Sequence, residues 1–202
     1  MGQINRDEFY NLIESRKSIR QFKKQEVPRE VLERVLGAAL HAPSGKNRQN
    51  WRFFIIQGKK RDDYLTYSQK SWLGIKDILQ KTLKPSLYNF TERFFFTLGD
   101  APVVIFAYSH NSSEERYHTS IGSVYMAVEN LNLACLVEGL GCCTMGAPLE
   151  IKDEVDRFLG IDQLPEYKQG ELELLCAVAV GYPDHNPPKA PRKTEGRVSW
   201  IS

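Results

Sequence analysis

The sequence predicts an α+β fold, on three observations. Two short runs, Trp51-Arg52-Phe53-Phe54-Ile55-Ile56 and Val103-Val104-Ile105-Phe106-Ala107-Tyr108, have the aromatic and β-branched density of strands buried on both faces. Segments with helical spacing outnumber such runs. No tight strand–helix–strand rhythm crosses the middle of the chain, so a fully wound parallel sheet fits less well.

Residues 5–16 place Phe9, Leu12 and Ile13 at helical spacing with charges between them. Pro28 opens a second helix, where Val31, Leu32, Val35, Leu36, Ala39 and Leu40 form one stripe, and Pro43 stops it. The first strand run ends at Gly58. Residues 59–98 start with charge and gather Tyr88, Phe90, Phe94, Phe95 and Phe96, so irregular helices are expected there. The second strand follows Pro102. Residues 119–140 are then apolar almost all round, which predicts a central helix packed on every side and closed by Gly139 and Gly141. A short amphipathic helix after Pro148 turns Val155, Phe158 and Leu159 inward. Leu172 to Val180 forms the last strand, before a polar, proline-rich tail.

One domain is expected of 202 residues, because a chain of this size buries roughly 70% of its unfolded surface without a covalent staple. Lys and Arg number 27 against 25 Asp and Glu, a net charge of +2. That balance argues against attachment to nucleic acid or an anionic membrane by bulk charge, and leaves room for a local anion site. No 18 consecutive residues are apolar, so no membrane span is expected, and the charged N-terminus lacks the apolar segment of a secretory signal. Cys135, Cys142, Cys143 and Cys176 lack zinc or C-x-x-C spacing, and a Cys142–Cys143 disulfide closes only a strained ring. The expectation is a reduced, cytoplasmic protein.

Several familiar sites are absent. Gly139-Leu140-Gly141 begins a dinucleotide fingerprint, yet Thr144 stands where the third glycine belongs. Gly141 to Gly146 has phosphate-loop spacing, yet Ala147-Pro148 replace the lysine and the hydroxyl residue. The histidines (His41, His110, His118 and His185) are scattered, so metal catalysis is not expected.

Four stretches remain. In an extended Arg16-Lys17-Ser18-Ile19-Arg20, residues 16, 18 and 20 face one way, and two guanidiniums with a hydroxyl suit a phosphate monoester. Alone, the stretch also reads as a solvated basic turn. Pro43-Ser44-Gly45, with Asn47 and Gln49, offers amides and a hydroxyl able to read a planar heterocycle, or an ordinary loop with Asn47 left-handed. Gly139 to Pro148 is rich in small residues that let backbone N–H groups approach a ligand. Arg192-Lys193 adds a basic pair in the tail.

In this order and spacing, these stretches together with Trp51, Glu138-Gly139-Leu140-Gly141-Cys142 and Val180-Gly181-Tyr182-Pro183 resemble the flavin-dependent nitroreductase family over nearly the whole chain. The resemblance implies an α+β homodimer with a central mixed or antiparallel sheet surrounded by helices. The long hydrophobic helix would lie at the dimer interface, and FMN between the subunits. It implies that Arg16, Lys17 and Ser18, joined by Arg192 and Lys193, hold the FMN phosphate, with Arg20 toward the N1/O2 edge of the ring. Pro43, Ser44, Gly45 and Asn47 would line the ring from the partner subunit. Met145, Gly146 and Ala147 would lay backbone N–H groups along it, one near N5. The implied activity passes hydride from NADH or NADPH to a small acceptor such as a nitroaromatic or quinone. With no nucleotide fingerprint, donor and acceptor are expected to use one face in turn, giving ping-pong kinetics. An FMN-binding delivery or sensing protein without turnover is the alternative. Two departures stand out. Asn50 replaces the proline usual before the tryptophan, which should loosen that turn, and residues 59–98 match no family pattern. The aromatics of that stretch read first as core and second as the roof of a substrate pocket.

Overall fold

Asn5 caps the first helix by accepting hydrogen bonds from the Asp7 and Glu8 N–H groups at 3.0 and 3.3 Å. From there the computed structural model describes residues 5–110, 117–168 and 170–201. The order is α1 (Arg6–Ser15), α2 (Arg29–Leu40), β1 (Trp51–Gln57), α3 (Gly58–Asp63), α4 (Leu65–Thr82) and α5 (Pro85–Thr97). It continues with β2 (Val103–His110), α6 (Tyr117–Val137), β3 (Gly141–Met145), α7 (Lys152–Leu159), α8 (Pro165–Lys168) and β4 (Leu172–Gly181). The strands form one sheet in the order β1-β2-β4-β3, with every neighbouring pair antiparallel.

Alternation along β2 divides the core. Val104, Phe106 and Tyr108 face one layer, where they meet Tyr64, Trp72, Phe94, Phe95 and Val155 from α4, α5, α7 and their turns. Val103, Ile105 and Ala107 face the other, against Leu32, Val35 and Ala39 of α2 and Val124, Val128 and Leu131 of α6. In the first layer the Tyr108 hydroxyl donates to the fully buried Asp156 at 2.5 Å, and Lys152 Nζ donates to the other Asp156 oxygen at 2.7 Å. Burial, followed by the bond to that carboxylate, pushes the Tyr108 hydroxyl far up, so it remains a donor.

Four expectations need correcting. β1 is an edge strand whose two faces are only partly covered: Trp51 and Ile56 are buried on opposite faces, but Arg52 and Ile55 are exposed. Residues 59–98 form regular helices: Pro85 opens α5, and Trp72 is held by a 3.1 Å bond from Nε1 to Glu92. The small-residue stretch before Pro148 contains a strand, since Gly141–Met145 pairs with β4. Finally, α6 is long and apolar enough to cross a membrane by length and composition, but its inner face is committed to the α2 core. Within this chain it is not covered on every side, for Tyr125 and Met126 are each 44% exposed and Val137 is 69% exposed.

The turn after α5 bends tightly. Leu98, Gly99 and Asp100 all have positive φ (53°, 59° and 64°), and Arg61 clamps them by donating to the Thr97 carbonyl at 2.7 Å and the Ala101 carbonyl at 2.6 Å. This turn supports the segment that carries Arg20, because the Phe22 N–H donates to the Gly99 carbonyl at 2.7 Å.

Candidate functional site

The Arg16–Arg20 segment is extended, as its alternation predicts, and lies against the free edge of β3. Ser18 bridges to Cys142 in parallel, and the Ile19 N–H donates to the Cys142 carbonyl at 2.9 Å. Ile19 is buried on Gly141, where a Cβ would stand 2.6 Å from its side chain, so glycine is required for that approach. The two arginines reach different layers. Arg16 forms an ion pair with Glu129 on α6 (Nε to Oε1, 3.4 Å). Arg20 lies beside Cys143 on the α5 side and lines a cleft of about 190 Å³ with Phe90, Arg93, Phe94, Asp100 and Asp184. Burial pushes the Cys143 thiol up to about 11, against the pull of the Arg20 guanidinium. Cationic groups thus bracket the edge of β3 at both ends of one extended segment.

Lys17 turns away from this edge. Its ammonium donates to Asn186 Oδ1 and to the Pro187 carbonyl, the latter at 2.7 Å. The tail is thereby drawn back along the N-terminal segment, with the Asp184 N–H on the Gln21 carbonyl at 3.1 Å and Lys189 Nζ on Glu14 at 3.3 Å. Arg192 and Lys193 follow as exposed residues, and no contact ties them to the basic segment among the described residues.

Beyond the end of β3, Met145 and Ala147 are buried in the α4–α5 layer while Thr144 and Gly146 stay exposed. A Cβ at Gly146 would meet nothing within 4 Å, so the backbone here is an open ledge. Cys142 and Cys143 point into opposite core layers, as neighbours on a strand must, which sets their thiols apart. Contact with the Cys142 thiol, and then burial, push the Cys135 thiol well up. Such cysteines are inert.

The loop after α2 is the second half of the candidate site. The Ser44 hydroxyl accepts the Gln49 N–H at 2.9 Å, and Asn47 Oδ1 accepts the Gln49 side-chain amide at 3.1 Å. Lys46, Asn47 and Gln49 are all left-handed (φ 54°, 54° and 51°), an uncommon density for residues other than glycine, and all three are exposed. Pro43 is exposed beside them. Asn50 does not loosen the turn. It is buried, donates to Ser109 Oγ at 2.9 Å and to the Ser120 carbonyl at 3.1 Å, and accepts the His110 N–H at 2.7 Å on its own carbonyl. Asn50→Ala is expected to cost about 2 kcal/mol, because buried partners lose their donor. Chemical denaturation checks this, and an unchanged midpoint would return Asn50 to the loosening role.

One protomer does not join the two halves. Gly45 packs on the first turn of α6, where a Cβ would stand 2.8 Å from Thr119 Cγ2. Arg16 meets α6 at Glu129, about 15 Å further along a helix rising 1.5 Å per residue. Lys17 and Ile19 share a cleft with Leu136, about 25 Å from Thr119 on the same rise.

The sequence reading missed Glu129 and Arg93. Both come from helices whose approach to the basic segment no local spacing encodes. Of the aromatic set, Phe94 and Phe95 are buried in the core, Tyr88 packs on Trp72 at 5.1 Å, and Phe96 is largely exposed. Phe90 and Phe94 reach the cleft beside Arg20.

Known proteins share the sequence pattern and the fold of this chain. The chain is 32% identical to a protein named iodotyrosine deiodinase from Thermotoga neapolitana, over 91% of this chain and 92% of that one. A crystal structure of oxidized iodotyrosine deiodinase bound to FMN and 3-iodo-L-tyrosine is 31% identical, with a TM-score of 0.72, covering 96% of this chain and 98% of that chain. A nitroreductase with bound FMN from Desulfitobacterium hafniense DCB-2 shares the fold, with a TM-score of 0.75 and 22% identity over 99% of this chain and 100% of that one. The sequence model of the nitroreductase family matches residues 13–182, which include the basic segment, the left-handed loop, β3 and the whole sheet, and this protein belongs to that family.

Proposed function

We propose that this protein is an FMN-dependent oxidoreductase that works as a homodimer, taking reducing equivalents from NADH or NADPH and passing them to a small aromatic or quinone-like acceptor. The observation that carries this reading is the separation of the two half-sites along α6. A two-fold axis that sets two α6 helices antiparallel brings the loop of one protomer to the basic segment of the other, because an isologous interface pairs each end with its opposite. The exposed Tyr125 and Met126 of α6 give that pairing an apolar surface.

The residues present fit FMN. Arg16 and Ser18 lie at one end of the β3 edge, where a phosphate requires charge-assisted donors. Arg20 and Arg93 lie at the other, where the edge of the ring carries carbonyl acceptors. The backbone at Gly146, just past the Arg20 end, is open enough for a planar ring to lie against it. FMN, when bound, supplies hydride chemistry at N5. The chain supplies the rest. Arg16 and Ser18 bind the phosphate, and Arg192 and Lys193 join them from the exposed tail when the anion is bound. Arg20 stabilises negative charge at the N1/O2 edge, and Arg93 adds to it. The backbone N–H groups of Gly146 and Ala147 orient the ring. Ser44, Gly45 and Asn47 of the partner cover its other side and keep water out.

No dinucleotide-binding fingerprint is present in the sequence, so donor and acceptor are read as sharing one open face in turn. The 32% identity to a deiodinase favours, as a second reading, an aryl halide as acceptor in place of a nitroaromatic. The test begins with colour. The purified protein is expected to be yellow, to bleach anaerobically with NADH or NADPH, and to give parallel double-reciprocal lines with an acceptor. Iodide release from 3-iodo-L-tyrosine by the bleached protein selects the second reading, whereas loss of nitroaromatic absorbance selects the first. A colourless protein that takes up no FMN defeats both, and a yellow protein that no nicotinamide bleaches leaves the delivery or sensing role in their place.

A further inference from the structure

We infer that Glu129, backed by Asn132, is a positioning residue that sets the Arg16 guanidinium for the anion it binds. The inference rests on the reading of Arg16 as a phosphate ligand. It starts from a closed circuit of contacts around the basic segment. Arg16 Nε faces Glu129 Oε1 at 3.4 Å, and the other Glu129 oxygen accepts from Asn132 Nδ2 at 3.1 Å. Asn132 Oδ1 in turn accepts from the Cys142 thiol at 3.2 Å. The Cys142 carbonyl accepts the Ile19 N–H, and Ser18 bridges to the same residue. Arg16 and Ser18, the two donors of the cradle, are therefore referenced to a single residue of β3, one through side chains and the other through the backbone.

The geometry gives each member a distinct task. Glu129 engages the Nε side of the guanidinium and leaves the terminal Nη pair free for two oxygens of one phosphate, the planar fork that arginine offers. Without that restraint the side chain has several rotamers to lose when the anion arrives, and ordering it then weakens binding. Asn132 is buried, so its amide has a fixed orientation: nitrogen to Glu129, oxygen to the thiol. Glu129 is half exposed, and one buried amide and one arginine hold its carboxylate in place. Neither residue need touch the ligand.

The test compares FMN with riboflavin, which lacks the phosphate, by fluorescence titration of the full chain stripped of flavin. Glu129→Ala is expected to weaken FMN about tenfold, the scale of having to order one rotamer-rich side chain on binding, and to leave riboflavin nearly unchanged. Glu129→Gln keeps an oxygen for Arg16 and is expected to stay within about threefold of the unaltered chain, since a neutral acceptor still orients the guanidinium. Arg16→Ala serves as the reference for the phosphate reading. If it lowers the FMN-to-riboflavin ratio and Glu129→Ala does not, the positioning role is wrong while the phosphate site stands. An equal loss for both flavins in Glu129→Ala makes the residue merely structural and also overturns the inference. If Arg16→Ala itself leaves the ratio unchanged, the phosphate reading fails first, and the positioning role fails with it.

Discussion

Arg16→Ala is expected to purify without yellow colour and to bind FMN about 100-fold more weakly, with folding intact. The size follows from the group removed. A guanidinium facing a phosphate makes two charge-assisted hydrogen bonds, each worth about 1.5 kcal/mol at the low end, and about 3 kcal/mol corresponds to about 100-fold in affinity. The stability of the chain should hardly change. The Arg16 side chain is 25% exposed and its partner Glu129 is 50% exposed, so the freed carboxylate returns to water. Absorbance of the purified variant and its thermal transition, measured together, check both halves. Retained colour at wild-type stoichiometry removes Arg16 from the site.

Gly99→Ala should do the opposite, harming the fold first and the site through it. Gly99 has φ of +59°, where a side chain costs about 1–2 kcal/mol. A Cβ there would also stand 2.1 Å from the Arg20 carbonyl oxygen and 2.8 Å from its carbon. These neighbours are backbone atoms, so no rotamer change relieves the clash, and overpacking of this kind costs about 1–3 kcal/mol more. A total of about 3 kcal/mol lowers the midpoint of a chain of this size by about 9 °C. The clash is with the segment that carries Arg20, and Phe22 hangs from the Gly99 carbonyl, so the guanidinium leaves the cleft as the segment is pushed outward. Scanning calorimetry gives the first effect. FMN affinity measured well below the transition gives the second. A transition within about 2 °C of the parent, which on the same scale is under 1 kcal/mol, contradicts the clash.

What was legible in the sequence depended on whether the signal was local. α2 was readable because its apolar residues recur at helical spacing, α6 because it is a long stretch apolar almost all round, and β2 and β4 because they are apolar runs buried on both faces. β3 was not. Gly-Cys-Cys-Thr-Met is short, begins with glycine and lacks the β-branched density of its neighbours, and only pairing with β4 makes it a strand. In α4 the buried residues are Ser68, Ser71 and Trp72, so two of the three inward positions are hydroxyl residues that no apolar pattern reveals. The same divide runs through the site. Arg16, Ser18 and Arg20 announce themselves by spacing. Glu129 joins them only because α6 passes the N-terminal segment, and Arg93 only because α5 does. Asn50 is the instructive case, since a residue that reads as the loss of a rigid proline proves to be a buried bracket between β2 and α6.

The pairing of Ser18 and Ile19 with Cys142 has a consequence beyond ligand binding. β3 ends the sheet, and an unshielded terminal strand invites stacking by other chains through its unused amides and carbonyls. The N-terminal segment shields that border. Damage there therefore threatens solubility as well as chemistry, and a truncated chain that begins beyond residue 22 would be prone to aggregate before its activity became measurable.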